Sequence, residues 1–148
     1  AERKVTRGGA TAWGALSKAD EREMQEVARV ILAEANKGTN IRAMFCMSIL
    51  YMNGVGVRKS DKNAVVFLKK AAKAGHASAQ VNLGIFFEDA RGGLRQSFNE
   101  AFYWFSKAAD QGDAEAQYCL GVVYLQGQGR EQDVASHGRR AGPHASPA

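Results

Sequence analysis

Catalysis needs titratable or nucleophilic groups that converge, and the spacing of such residues along the chain is the first test for it. His76, His137 and His144 have no set of acids or cysteines around them at metal-ligand intervals. Cys46 and Cys119 are too few and too far apart for a zinc site or a disulfide framework. They read instead as small apolar residues buried in helices, which suits a reducing compartment. The run from Gly54 to Lys59 lacks the spacing of a phosphate loop, no serine is followed three residues later by lysine, and no Gly-X-Ser-X-Gly occurs. His76 follows a helix-ending glycine, where a cap is expected rather than a catalytic base. The expected protein is therefore not an enzyme: catalytic residues, a metal, a cofactor and a small-molecule substrate are all unexpected.

What remains is charge, and it is unevenly placed. Arg58, Lys59, Lys62, Lys69, Lys70 and Lys73 stand against Asp61 alone and put +5 on residues 58–73, whereas residues 74–129 carry −3. Such a run is either a solvated outer helix face or a dock for an acidic surface on protein, lipid headgroup or RNA. The whole-chain charge of +5 belongs mostly to the tails, because residues 1–19 carry +3, residues 130–148 carry +1 and residues 20–129 only +1. A nucleic-acid domain concentrates its cations on a folded face with aromatics interleaved, and this chain does so weakly. No run approaches the length of a membrane span and none resembles a secretory signal. A soluble intracellular protein is expected, cytosolic or organellar; the basic, acid-poor start without methionine would suit a mitochondrial protein after presequence removal.

The elements that must position these residues follow from an internal repeat. With 148 residues, 45% of them hydrophobic, the chain is long enough for one domain. Lys69, Lys70, Ala71, Ala72, Lys73, Ala74, Gly75 returns as Ser106, Lys107, Ala108, Ala109, Asp110, Gln111, Gly112, a shift of 37 residues. The same shift takes Ser60 to Ser97, Ala64 to Ala101 and Phe67 to Trp104, and, backwards, Gly75 to Gly38, Ala72 to Ala35 and Phe67 to Val30. Ala79, Leu83, Gly84 and Phe87 return as Ala116, Leu120, Gly121 and Tyr124, and stand 36 residues earlier as Ala43, Met47, Ser48 and Tyr51.

Each unit reads as two helices. Ala79, Leu83, Phe86 and Phe87 make one apolar face, and Ala101, Trp104, Phe105 and Ala108 another, both at helical offsets. Ser97 with Glu100 forms a capping box and Gly112 ends the same helix. The spacing predicts helices at about 18–37, 41–52, 61–74, 77–89, 98–111 and 113–125. Inner loops are expected at Asn53–Gly56, Arg91–Gly93 and Gln126–Gly129, where glycines end the first helix of each pair. Small residues in fixed columns (Ala72, Ala109, Gly84, Gly121) let helix axes approach while aromatics fill the space beside them.

These residues resemble the Sel1-like repeat family, an α-solenoid relative of the tetratricopeptide repeat. The resemblance rests on Ala116, Leu120, Gly121, Tyr124, Gly127 and Gly129 in one helix and loop, and on Ala101, Trp104, Lys107, Ala108, Ala109, Gln111 and Gly112 in the next. It covers roughly residues 23–129 and implies an all-α, short right-handed solenoid of antiparallel helix pairs with flexible termini. The expected organisation is a basic extension at 1–17 and a repeat domain at 18–129. That domain comprises a degenerate helix at 18–37, repeats at about 41–75 and 77–112, and an incomplete one at 113–129. A flexible tail follows at 130–148. The departures are Met47-Ser48 for Leu-Gly, the altered loop Arg91-Gly92-Gly93, and the loss of aromatic and double-alanine features after Asp133.

Stacked pairs line an extended surface with their first helices, which suits another polypeptide. The resemblance implies the same role, that of a non-enzymatic adaptor or scaffold, with an accessory subunit of a larger assembly as the expected form. Phe45, Gln80, Asn82, Gln117 and Tyr118 sit on first helices away from the main apolar columns and are the expected partner-facing residues. The alternative is an RNA-associated or acidic-partner-binding subunit using the basic patch from Arg58 to Lys73 with the Arg3, Lys4, Arg7 tail.

Overall fold

The computed structural model describes the backbone of residues 17–136 and the side chains of residues 17–127. The helices are α1 (Lys18–Asn36), α2 (Ile41–Asn53), α3 (Asp61–Lys73), α4 (Ala77–Glu88), α5 (Phe98–Asp110) and α6 (Ala114–Ser136). Each packs chiefly on the helix before it and the helix after it, which is the nearest-neighbour order of a solenoid.

The helix starts follow side-chain chemistry. Ser17, Asn40, Ser60, His76 and Ser97 each accept a hydrogen bond from the backbone N–H three residues on, satisfying a donor that has no partner within the helix. The capping box falls at the start of α1, where the Asp20 carboxylate in turn accepts from the Ser17 backbone N–H. The expected box of Ser97 and Glu100 is met by its first half, the Glu100 N–H donating to the Ser97 hydroxyl at 3.1 Å. After α2 and α4 the chain turns through left-handed backbone, at Gly54 (φ 68°) in one repeat and at its counterpart Ala90 (φ 54°) in the next. An L-residue held there costs about 1–2 kcal/mol, so the second loop carries strain that the first does not.

Two glycines fix the inner loops against the preceding repeat. A Cβ on Gly56 would lie 2.3 Å from the Met24 carbonyl oxygen of α1, and one on Gly92 would lie 2.4 Å from Val65 Cγ2 and 2.7 Å from the Asp61 carbonyl oxygen of α3. The altered loop Arg91-Gly92-Gly93 therefore keeps the close approach. Arg91 adds a forked pair of 3.1 Å hydrogen bonds to the Asp61 carboxylate and lies 4.1 Å over the Phe86 ring.

The core is continuous between the pairs. One cluster joins Ala35, Met47, Phe67, Leu68, Leu83 and Phe86 with Trp104, and a second joins Val81, Ala101, Phe105, Ala108, Ala116 and Val123. Ser48, in the column of Gly84, is fully buried and donates from its hydroxyl to the Phe45 carbonyl at 2.6 Å, so the departure from Leu-Gly keeps a small residue with its polar group satisfied.

The third repeat differs from expectation. The segment Gln126–Gly129, expected as a loop, is helical, and α6 runs on to Ser136. The earlier loops turn through left-handed backbone at Gly54 and Ala90; their counterpart Gly127 does not, and helical hydrogen bonding continues into Arg130, Glu131 and Gln132, all good helix formers. The basic extension, residues 1–16 with Arg3, Lys4 and Arg7, and the rest of the expected tail, 137–148, lie outside the described residues.

Candidate functional site

The five residues expected to face a partner differ in burial. Phe45 is half-buried and its ring stacks on His76, with centroids 4.3 Å apart. Gln80 is buried and its amide is consumed inside the protein, which corrects its assignment to the groove. Its Nε2 donates to the Ala72 carbonyl at 3.0 Å, and its Oε1 accepts from Gln111 Nε2 at 3.0 Å. Gln111 also donates to the Gly75 carbonyl at 3.0 Å, so two glutamines stitch the end of α3 to α4 and to the end of α5. A buried amide whose donor and acceptor are both engaged specifies packing, and its burial keeps it from a partner. Asn82 is half-buried, whereas Gln117 and Tyr118 are exposed, Tyr118 at 73%.

The exposure of Gln117 and Tyr118 follows from their place in the repeat. Their counterparts one unit earlier are Gln80 and Val81, at 2% and 0% exposure. Further along α6, Tyr124 and Leu125 are exposed where Phe87 and Glu88 are half-buried. Gly121 makes the contrast plainest. A Cβ on Gly84 would lie 2.5 Å from the Phe105 ring, whereas a Cβ on Gly121 would meet nothing within 4 Å. The face that α4 buries beneath α5 and its successor is on α6 open among the described residues, running from Gln117 through Gly121 to Leu125. The sequence contained a signal of this difference in the loss of aromatic and double-alanine features after Asp133.

Arg58, Lys59, Lys62, Lys69, Lys70 and Lys73 are all exposed, and no ion pair among the described residues engages any of them. Lys62, Lys69 and Lys73 share the outer side of α3 with exposed Val66, while Lys70 lies 5.3 Å over the Phe67 ring. The one acid of the run, Asp61, is taken by Arg91, so nothing within the patch offsets its charge.

His76 acts as a cap. Its Nδ1 accepts the Ala79 N–H at 3.2 Å, and burial, with Arg42 nearby, holds its pKa below the ordinary 6.5. Among the described residues no three His, Cys, Asp or Glu side chains come together to hold a metal, both cysteines are free, and no helix is long and apolar enough to cross a membrane.

The Sel1 repeat matches residues 41–76, 77–113 and 114–137, the boundaries of α2 with α3, of α4 with α5, and of α6. The helix α1 stands before the first matched unit. Among solved structures, a Sel1 repeat protein from Oxalobacter formigenes is 33% identical, with a TM-score of 0.59, over 67% of this chain and 73% of that one. The antigen c5321 of uropathogenic Escherichia coli, which displays the same repeat fold, is 22% identical with a TM-score of 0.62, over 72% of this chain and 26% of that one. None of the curated proteins matches the chain.

Proposed function

The chain belongs to the Sel1 repeat family, and from that premise we propose that it is a non-enzymatic scaffold, an accessory subunit that joins a larger assembly through the open face of α6. Sel1 repeats serve protein–protein interaction, and the observation that carries the proposal is that face: Gln117, Tyr118, Gly121, Tyr124 and Leu125 stand uncovered in columns that the earlier repeats bury or half-bury. An exposed apolar patch of this kind marks an interaction site. Affinity purification of the tagged protein, washed at low and at high salt, tests it. Proteins retained in fixed proportion at high salt from the wild type, and lost from Gly121→Lys, are the expected result; retention by both forms would count against α6 as the docking face.

A second reading is favoured by the six unpaired cations of residues 58–73: an acidic partner or RNA binding along α3. It predicts binding that weakens steeply with salt and is lost in the triple variant Lys62→Glu, Lys69→Glu, Lys73→Glu. A salt-independent interaction would remove it.

A further inference from the structure

We propose that the occupant of the α6 face is a second copy of this chain, whose α1 docks there in the place that a second helix takes in the earlier repeats. This rests on the reading of α6 as a docking face, and it comes from comparing the two ends of the array. On α1, Val27 and Val30 are 48% and 62% exposed. They stand in the columns of Ala64 and Ala101, both 0% exposed, and of Phe67 and Trp104, at 6% and 8%. In α3 and α5 those columns are covered by the first helix of the same repeat, and no helix precedes α1 among the described residues. At the other end, among the described residues, α6 is a first helix with no second packed on it. One end thus lacks what the other supplies.

The internal contacts show how the two would meet. Tyr51 of α2 stacks on Phe67 of α3 with centroids 6.0 Å apart, and the Phe105 ring of α5 lies against Gly84 of α4. On α6 the same columns hold Tyr124 and Gly121. On α1 the columns of Phe67 and Phe105 hold Val30 and Ile31. Docked in the repeat's own register, Val30 meets Tyr124 and Ile31 seats on Gly121, so the packing of the first two repeats continues without a break across the junction.

Residues 130–148 contain no Phe, Tyr or Trp and no Leu, Ile or Met, so they do not repeat the apolar columns of α3 and α5. Of the eight large apolar residues most exposed among those described, five (Val27, Val30, Tyr118, Tyr124 and Leu125) lie on the two terminal helices. A free solenoid end is ordinarily polar. With two tyrosines and a leucine on one side and three aliphatic residues on the other, the contact would bury about 600 Å² per partner, near the lower limit of specific interfaces. Association should therefore be reversible and concentration-dependent. Because the two surfaces differ, the contact is heterologous, leading to open chains or rings rather than to a closed symmetric pair.

Sedimentation of the full chain over micromolar to near-millimolar concentration tests this, with Val30→Glu closing the α1 end and Gly121→Lys closing the α6 end. Both positions are exposed, and circular dichroism checks that each variant is folded. The wild type is expected to grow in mass with concentration, and each variant alone to remain monomeric. An equimolar mixture should form a species of twice the monomer mass and no larger one, because each variant keeps the end that the other has lost. A wild type that stays monomeric, a mixture that does not pair, or growth that Val30→Glu leaves intact would overturn the proposal. A monomeric wild type whose retained proteins are nonetheless lost on Gly121→Lys overturns this inference and leaves the scaffold reading standing.

Discussion

Gly84 and Gly121 occupy one column of the repeat under opposite conditions. A methyl group at Gly84 runs into the Phe105 ring, and at Gly121 it enters open space. Gly84→Ala is expected to cost about 1–3 kcal/mol by overpacking, and Gly121→Ala to stabilise by about 0.5–1 kcal/mol by removing a flexible residue from a helix; urea unfolding of both variants reads the two signs. Gln80 and Gln117 also share a column, and their pattern in the sequence does not separate them. What does is Gln111, 31 residues beyond Gln80, whose amide reaches back to it; no local periodicity announces such a pairing. Gln80→Ala should lose about 1–3 kcal/mol because it strands buried polar groups, while Gln117→Ala should change stability by no more than about 0.5 kcal/mol. His76 gives a pH dependence with a definite sign. Burial first, and Arg42 second, keep its folded pKa below 6.5, so as the pH falls through 6.5 the unfolded chain binds the proton more readily and stability drops. The contribution is complete above that value. In His76→Asn, which keeps a cap like that of Asn40, this part of the acid loss should vanish from unfolding curves measured on either side of pH 6.5.

The helices were legible in the sequence wherever a cap and a neighbouring repeat agreed. Ser60, Ser97, Gly75 and Gly112 mark α3 and α5 to within a residue of their observed bounds. The end of α6 was not legible, because the motif Gln126–Gly129 resembles the earlier loops, yet Gly127, the counterpart of left-handed Gly54 and Ala90, stays helical. Gly56 and Gly92 turn the chain where each is seated on the preceding second helix. Gly56→Ala is accordingly expected to push the loop off Met24 and Ala28 and loosen α1 more than α4, seen as faster amide exchange in residues 18–36 with little change in residues 77–88. The groove residues were hard to read as well. Phe45, Gln80 and Tyr118 lie on similar first helices, and what covers them comes from residues distant in sequence: His76 stacks on Phe45 and Gln111 reaches Gln80, while Tyr118 stays exposed.

Over the whole molecule, contacts between neighbours dominate, so stability should rise from the ends toward the middle. The helix α1 packs on α2, and α6 packs on α5 with little more, whereas α3 and α4 are held from both sides. Amide exchange is expected to be slowest in α3 and α4 and fastest in α1 and α6; uniform protection along the chain would contradict a nearest-neighbour array. The charge is as uneven as the packing, with the unpaired cations gathered on the loop before α3 and on α3 itself. The open columns of α6 also make it a growth point. Because Tyr118, Gly121 and Tyr124 present the surface that α4 offers to α5, a single helix appended there would find its seat prepared. The array could be extended by that half-unit without altering a residue of the existing core, by a designer's graft of a segment patterned on Phe98–Asp110.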